Sequence, residues 1–497
     1  MVNLLDPREG ELICDPAAGS GGFLIRAFEH VRNRINAAIQ AEKDQARADI
    51  ETADLDPEEE DARIDAAFVE LNRELLSSDD QNQPIDTRVG RLAWRCIFGS
   101  DAEPRAARTA KMNMIMHGDG HGGIHHHDGL VDINGIFPSR FDVVVTNPPF
   151  GSNVGDDQKI DSSGETRIHW DDAYHAACLE RYGNEWERSY RRLQDAAGTS
   201  ILDLFEIGKG KSNRATEIVF VERCLSLLKP GGRMGIVLPD GNLNNPSLAW
   251  LRRWCEGKAR IMAVVSLPEE TFRSADATVK ASLVFLRRFT ADDEAAWEAS
   301  WMQARATHDD AFNAKRDRLC ADIGQRIVTG ENAAVEKIID ELAMLGIERT
   351  MPAWHAGTPP AYPRGIGLPK LTKPRWNGTA HDKRCAAQAK RDYTAAFNSD
   401  EETKRHADAL FRMLREEIRA LDDAHNAALW ATVREAFDYP VFVAAPKTVG
   451  ITSTGETGDN VPDDLPRILD AYRSFEAWVD AGAKPEDMPD FHLPSAA

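Results

Sequence analysis

The sequence predicts an α/β fold, a doubly wound and mostly parallel sheet with helical insertions, followed by a mainly helical C-terminal region. Two observations carry this. Short apolar runs ending in tight turns alternate with segments whose apolar residues recur at helical spacing. Two of those turns, "DPAAGSGG" (residues 15–22) and "NPPF" (147–150), stand at strand ends, where open α/β sheets hold ligands.

Each element follows in order. In "ELICDPAAGSGGFLIRAF" (11–28), Leu12, Ile13 and Cys14 read as a strand, and Phe23, Ala27 and Val31 as the helix after the loop. Residues of about 32–85 are rich in Ala, Glu, Asp and Arg and read as a helical insertion broken near Pro57. "RCIFGSD" fits a second strand, and Phe141 to Thr146 a nearly continuous buried one. Residues 151–213, with their Gly, Asp and Ser clusters, read as a long, mobile and irregular excursion. "ATEIVFVERCLSLLKPGGRMGIVLP" is a helix, a turn and a strand; "IMAVVSLP" and "KASLVFLRRF" are two further strands. From about residue 291 to 437 the chain is charged and Ala-rich, with Leu410, Leu414, Ile418 and Leu421 at helical spacing. "MPAWHAGTPPAYPRGIGLPKLTKPRWNG" interrupts it as a Pro- and Gly-rich linker, and residues 438–497 read as strand, turn and helix.

The totals bound the function. A chain of 497 residues accommodates two to four domains. No apolar run approaches the roughly 20 residues of a membrane span, and the N-terminus lacks signal-peptide regions, so the cytoplasm is expected. Seven cysteines, odd in number and never in a CxxC pair, argue against a disulfide framework and a zinc knuckle. A net charge of −21 points away from a chain that grips DNA alone over a long footprint; a partner or a local groove would supply most phosphate contacts.

The first loop lacks the GK[ST] ending of a P-loop and the third glycine of a GxGxxG dinucleotide loop. Asp15 at the strand end suits a ligand with a cationic amino-acid end, and Gly19 and Gly21 suit close backbone approach. A tight turn without a ligand is the alternative while this loop stands alone. In "NPPF", two prolines hold an extended turn in which the Asn147 amide oxygen and the Pro148 carbonyl form two acceptors. Two acceptors suit an exocyclic amine with its two hydrogens, and Phe150 can stack on the base that bears it. The run "MHGDGHGGIHHHDG" contains His117, His121, His125, His126 and His127. It reads as a Gly-rich surface loop rather than a metal site.

Taken together, "DPAAGSGGFL", "IFGSDAEPRAARTAKMNMIMHG", "VVVTNPPFGS", "LLKPGGRMGIVLPDG", "VVSLPEETF" and "SLVFLRR" resemble the amino-group DNA methyltransferases that use S-adenosylmethionine. More closely, they resemble the modification subunit of type I restriction–modification systems and related phage-defence N6-adenine methyltransferases. The resemblance covers roughly half of the chain, mostly residues 5–30, 88–155, 213–290 and 438–478. It implies a Rossmann-like methyltransferase domain over 1–290, a partner-docking helical region over 291–437, and a segment completing the methyltransferase region over 438–497. It further implies that Asp15, Pro16, Ala17, Gly19, Ser20, Gly21 and Gly22 line the methionine and sulfonium end of the cofactor. Asp101, with Glu103 as its rival, would bind the ribose hydroxyls, and Asp128 the adenine amine of the cofactor. Asn147, Pro148, Pro149 and Phe150 would handle the flipped acceptor adenine, which must leave the duplex to be reached.

The implied partners are DNA, a specificity subunit and a restriction subunit. Such proteins carry an N-terminal helical domain, whereas Met1 here stands about a dozen residues before the first loop. A truncated start, a gene split into two chains, or a degenerate homologue would each account for that. The competing readings are methylation of a protein glutamine, whose enzymes carry Tyr after the prolines, RNA guanine methylation, and a scaffold subunit without turnover.

Overall fold

The computed structural model describes residues 1–53, 55–81, 83–118, 123–160, 171–269, 271, 279–329, 416–417, 419–452, 456–458 and 460–489. The chain divides into two compact units, Met1–Glu294 with Tyr439–Ala497, and Ala295–Asp438.

In the first unit the elements are α1 (Val2–Leu5), β1 (Ile13–Asp15), α2 (Gly22–Glu51), α3 (Pro57–Arg73), α4 (Arg88–Arg91), β2 (Ile97–Asp101), α5 (Pro104–Met116), β3 (Ile124–His126) and β4 (Phe141–Thr146). They continue with β5 (Asn153–Gly155), α6 (Asp172–Tyr182), α7 (Asn184–Ala196), β6 (Asn213–Ala215), α8 (Thr216–Leu227), β7 (Leu228–Pro239), α9 (Asp240–Asn244), α10 (Ala249–Glu256), β8 (Ala259–Ser266) and β9 (Ala281–Arg288). After α11 (Ala291–Thr329) and α12 (residues 419–436), β10 (Phe442–Ala444) and α13 (Leu465–Asp480) return to the first unit.

Eight strands form one sheet in the order β10-β8-β9-β7-β4-β1-β2-β3. β9 runs antiparallel to both of its neighbours, and the other pairings are parallel. The chain winds outward through β1, β2 and β3, then crosses back to β4 on the other side of β1. The reversal between β1 and β4 is a topological switch point, and in open α/β sheets the crevice beyond the carboxyl ends of the strands at such a point is where ligands bind.

Side chains alternate across the sheet and feed two cores. Ile13, Val143, Val145 and Val237 join the core under α2, α5 and α13, whereas Cys14, Val144, Ile236 and Leu238 join the one under α8 and α10. α2 is helical because Leu24, Ala27, Phe28, Val31, Ile35 and Ile39 make one buried stripe. Pro57 opens α3 at its first turn, and the Asp56 side chain accepts hydrogen bonds from Glu58 N and Glu59 N. Arg233 on β7 donates to the carbonyls of Leu5 and Asp6 and to both oxygens of Glu11, fastening the segment before β1.

Residues 151–213 depart from the irregular excursion expected of them. Their described residues include the β5–β6 sheet, which ends with Ala215, and helices α6 and α7. Trp186, Tyr190 and Leu193 of α7 are buried, and Trp186 and Tyr190 pack with Phe137 and Cys178.

In the second unit, α11 and α12 bury Ala304, Leu429 and Val433, with Trp297, Trp301, Trp430 and Phe437 ring against ring. The Pro- and Gly-rich linker, Leu410, Leu414 and Ile418 lie outside the described residues. No helix among the described residues is long and apolar enough to cross a membrane.

Candidate active site

The predicted residues sit on four adjacent strands, β4, β1, β2 and β3, and all at their carboxyl ends. Asp15 closes β1 and is buried. Its Oδ1 accepts hydrogen bonds from the Ala17 backbone at 3.0 Å and from the Thr146 hydroxyl at 2.7 Å. Burial pushes its carboxyl up to about 7; the two hydrogen bonds pull the other way and only partly offset it. A carboxyl held this way ionises readily once a cation faces it.

Neighbouring strands fasten the loop that follows. Asp101 Oδ2 accepts from Gly19 N at 2.8 Å, and the Ser100 carbonyl accepts from Ala18 N at 2.9 Å. On α5, the Asn113 amide donates to the Ser20 carbonyl at 2.9 Å, and Ala110 lies 3.3 Å from where a Cβ on Gly21 would stand. The two glycines therefore differ. Gly21, with φ 84°, faces the packed helix, while Gly19, with φ 55°, has nothing within 4 Å of where a Cβ would stand. Pro16 is buried, Ala17 half-buried, and Ser20 and Gly22 exposed.

Asp101 and Glu103, rivals in the sequence, separate cleanly. Asp101 ends β2 and contacts the loop, whereas the exposed Glu103 caps α5 by accepting from Ala106 N at 2.6 Å. Asp128 follows β3, half-buried, with Oδ1 accepting from Leu130 N at 2.9 Å. Its neighbour Gly129 lies so close to the first loop that a Cβ there would come within 1.8 Å of the Pro16 carbonyl. Of the histidines, His117 pairs with Glu29 at 3.0 Å. His125 is driven down to about 4 by burial, and His126 contacts the Ala102 carbonyl at 3.1 Å. His121 lies outside the described residues.

Asn147 follows β4 directly and is exposed, Pro148 is buried, Pro149 exposed, and Phe150 half-buried against the α2 core. The Thr146–Asp15 hydrogen bond joins the two loops, so Asn147 begins one residue from a direct contact with the cofactor-type loop.

Sequence reasoning passed over three supports. Thr146 carried a signal, since it is a hydroxyl at a strand end immediately before "NPPF". Asn113, within "KMNMIMHG", had only its place on a helix. Arg223 of α8 had none: fully buried, it reaches Asp132 Oδ1 at 2.5 Å, the Gly129 carbonyl at 2.8 Å and the Val131 carbonyl at 3.2 Å, pinning the segment after Asp128.

Chemically, the edge presents three carboxylates, a glycine backbone and an exposed carboxamide. The carboxylates and the glycine suit a ligand with a cationic amino-acid end and a hydroxylated sugar, so the residues present fit S-adenosylmethionine.

The chain resembles known proteins over part of its length. A family model described as an RMKL-like methyltransferase domain matches residues 1–162, and one described as N-6 DNA Methylase matches residues 182–337. The chain is 25% identical over 295 residues to the type I restriction enzyme StySPI methylase subunit of Salmonella potsdam, covering 58% of this chain and 38% of that protein. It is 24% identical over 295 residues to the EcoKI methylase subunit of Escherichia coli K12, with the same coverage. The crystal structure of the EcoKI M protein aligns with 22% identity over 59% of this chain and 42% of the other, at a TM-score of 0.33. The chain is thus a relative of type I methylase subunits and spans 38% of the length of the two named.

Proposed function

We propose that this chain is the methylase subunit of a restriction–modification or phage-defence system and transfers a methyl group from S-adenosylmethionine to adenine N6 in DNA. The observation that carries the reading is the 2.7 Å Thr146–Asp15 hydrogen bond, which sets "DPAAGSGG" and "NPPF" side by side on the switch-point strands. The relationship to type I methylase subunits supports it.

In this reading Asp15 faces the amino-acid end of the cofactor, the Gly19 backbone lies against it, Asp101 accepts from the ribose hydroxyls and Asp128 from the cofactor's adenine amine. When bound, S-adenosylmethionine supplies the electrophilic methyl group. The chain's own residues prepare the nucleophile. Adenine N6 is weak because its lone pair is delocalised into the ring. The Asn147 amide oxygen and the Pro148 carbonyl accept its two hydrogens, draw the nitrogen toward tetrahedral geometry and free that pair. Pro149 keeps the turn extended, and Phe150 stacks on the flipped base. Catalysis here is positioning and electrostatics. DNA and a specificity subunit are the partners, and a restriction subunit completes the system. The segment 291–437 is assigned to docking the specificity subunit, in keeping with the acidic net charge.

The test is incorporation of labelled methyl groups into unmethylated DNA, read as N6-methyladenine, by the wild type and by Asn147→Ala. Transfer by the wild type alone supports the proposal. Equal incorporation by both removes Asn147 from the chemistry, and failure of the wild type to bind S-adenosylmethionine would leave a scaffold.

A further inference from the structure

The acceptor side of the crevice holds a buried acid to which the reaction above gives no task. Glu217 lies in the first turn of α8 and is 8% exposed. Its Oε2 has no hydrogen-bond partner among the described residues. A buried carboxyl oxygen without a partner is costly unless something arrives to pair with it.

Its position follows from register. α8 runs from the carboxyl edge of the sheet back to the start of β7, over the core that contains Cys14 and Val144. Cys224 of α8 lies within electrostatic reach of Cys14 and Asp15. Seven helical residues toward the N-terminus carry the chain about 10 Å toward that edge, or about three strand residues. Cys14 pairs with Val144, and three residues beyond them stand Ala17 and Asn147. Glu217 is therefore level with Asn147.

Two contacts fix this placement. Thr216 N donates to the Ser152 carbonyl at 3.0 Å and the Ser152 hydroxyl to Thr216 Oγ1 at 2.8 Å, so the turn carrying Glu217 starts beside the residues that follow Phe150. One turn further along, Phe220 comes within 3.4 Å of where a Cβ on Gly129 would stand. A second atom without a partner among the described residues, Asn242 Nδ2, lies in α9, which directly follows the carboxyl end of the neighbouring strand β7.

We propose that Glu217 reads the acceptor base, donating its carboxyl hydrogen to a ring nitrogen of the adenine whose amine is held by Asn147 and Pro148. This rests on the methyltransferase reading. Both amine hydrogens are then already taken, and the ring atoms that remain for recognition are lone-pair acceptors. An ionised carboxylate would repel them and a neutral carboxyl pairs with them. Burial pushes the Glu217 carboxyl up, toward the neutral form.

The experiment measures methyl transfer to unmethylated DNA and equilibrium binding of S-adenosylmethionine for the full-length wild type, Glu217→Ala and Glu217→Gln. The alanine variant is expected to lose about tenfold or more in kcat/KM for DNA while binding the cofactor within about twofold of wild type. The glutamine variant, whose amide still donates an N–H, is expected to stay within about threefold. An alanine variant as active as wild type overturns the proposal. So does a glutamine variant as poor as alanine, or loss of cofactor binding in the alanine variant. A wild type that transfers no methyl group overturns the functional reading and this inference with it, whereas each of the other adverse results overturns this inference alone.

Discussion

The two sides of the crevice are built differently. On β1 and β2 the polar groups of the first loop are engaged: Asp15 by Thr146 and Ala17, Asp101 by Gly19, Ser20 by Asn113. On the side of β4 and β7, Asn147 is exposed and Glu217 and Asn242 each keep a polar atom unpaired among the described residues. A small cofactor that is present in every turnover favours a cradle formed beforehand. A base that must be extruded from a duplex favours groups that wait for it. Under the proposed function the contrast fits two roles, a cofactor cradle formed beforehand on one side and a base site completed by its ligand on the other.

That contrast can be broken or sharpened by experiment, beginning with the largest effect. Arg223→Met removes the fully buried partner of Asp132 and leaves it Arg192 and Ser189, and urea unfolding should show a loss of about 3 kcal/mol. S-adenosylmethionine affinity should fall with it, because the segment after Asp128 loses its anchor. Asn147→Ala should lower kcat by about 10²–10³-fold and leave both unfolding and cofactor affinity unchanged, since the residue is exposed and supports nothing else. Loss of stability in that variant would erase the distinction between the two sides. Thr146→Val removes one hydrogen bond to a buried carboxyl and should cost about 1–3 kcal/mol of stability, with weaker cofactor binding.

Asp15 predicts a pH signature. A folded value raised to about 7, against about 3.9 in an unfolded chain, means that its contribution to stability is full below pH ~4 and is lost as pH rises toward 7. Cofactor affinity runs the other way. A cation beside Asp15 favours the ionised form, so affinity should rise by up to about tenfold per pH unit below 7 and level off above it. Calorimetric titration at several pH values, with Asp15→Asn showing a flatter profile, checks this. Smallest of all, Arg63→Ala breaks an exposed i,i+4 pair with Glu59 on α3, remote from either side, and should change stability by less than about 0.5 kcal/mol.

Much of the site was legible because its parts are local. A strand, a turn and a helix written in consecutive residues yielded β1, the first loop and α2, and the same local grammar yielded β4 with Asn147 to Phe150. The supports were less so, because they are long-range. Thr146 meets Asp15 across 131 positions and Arg223 meets Asp132 across 91, and no periodicity encodes such meetings. The antiparallel run of β9 is likewise a matter of topology, since an apolar strand reads the same in either direction. The miss over 151–213 differs in kind. Trp186, Tyr190 and Leu193 did carry helical spacing, but the Gly, Asp and Ser clusters of the preceding residues masked it.

Beneath the first loop, Cys14 of β1 and Cys224 of α8 are fully buried, and burial holds both thiols well above their ordinary range. Such sulfurs react with an alkylating reagent only while the strand and helix separate, so their labelling rate times the opening of the layer under the crevice. The chain thus carries its own clock for breathing motions, and a ligand that closes the crevice should slow it.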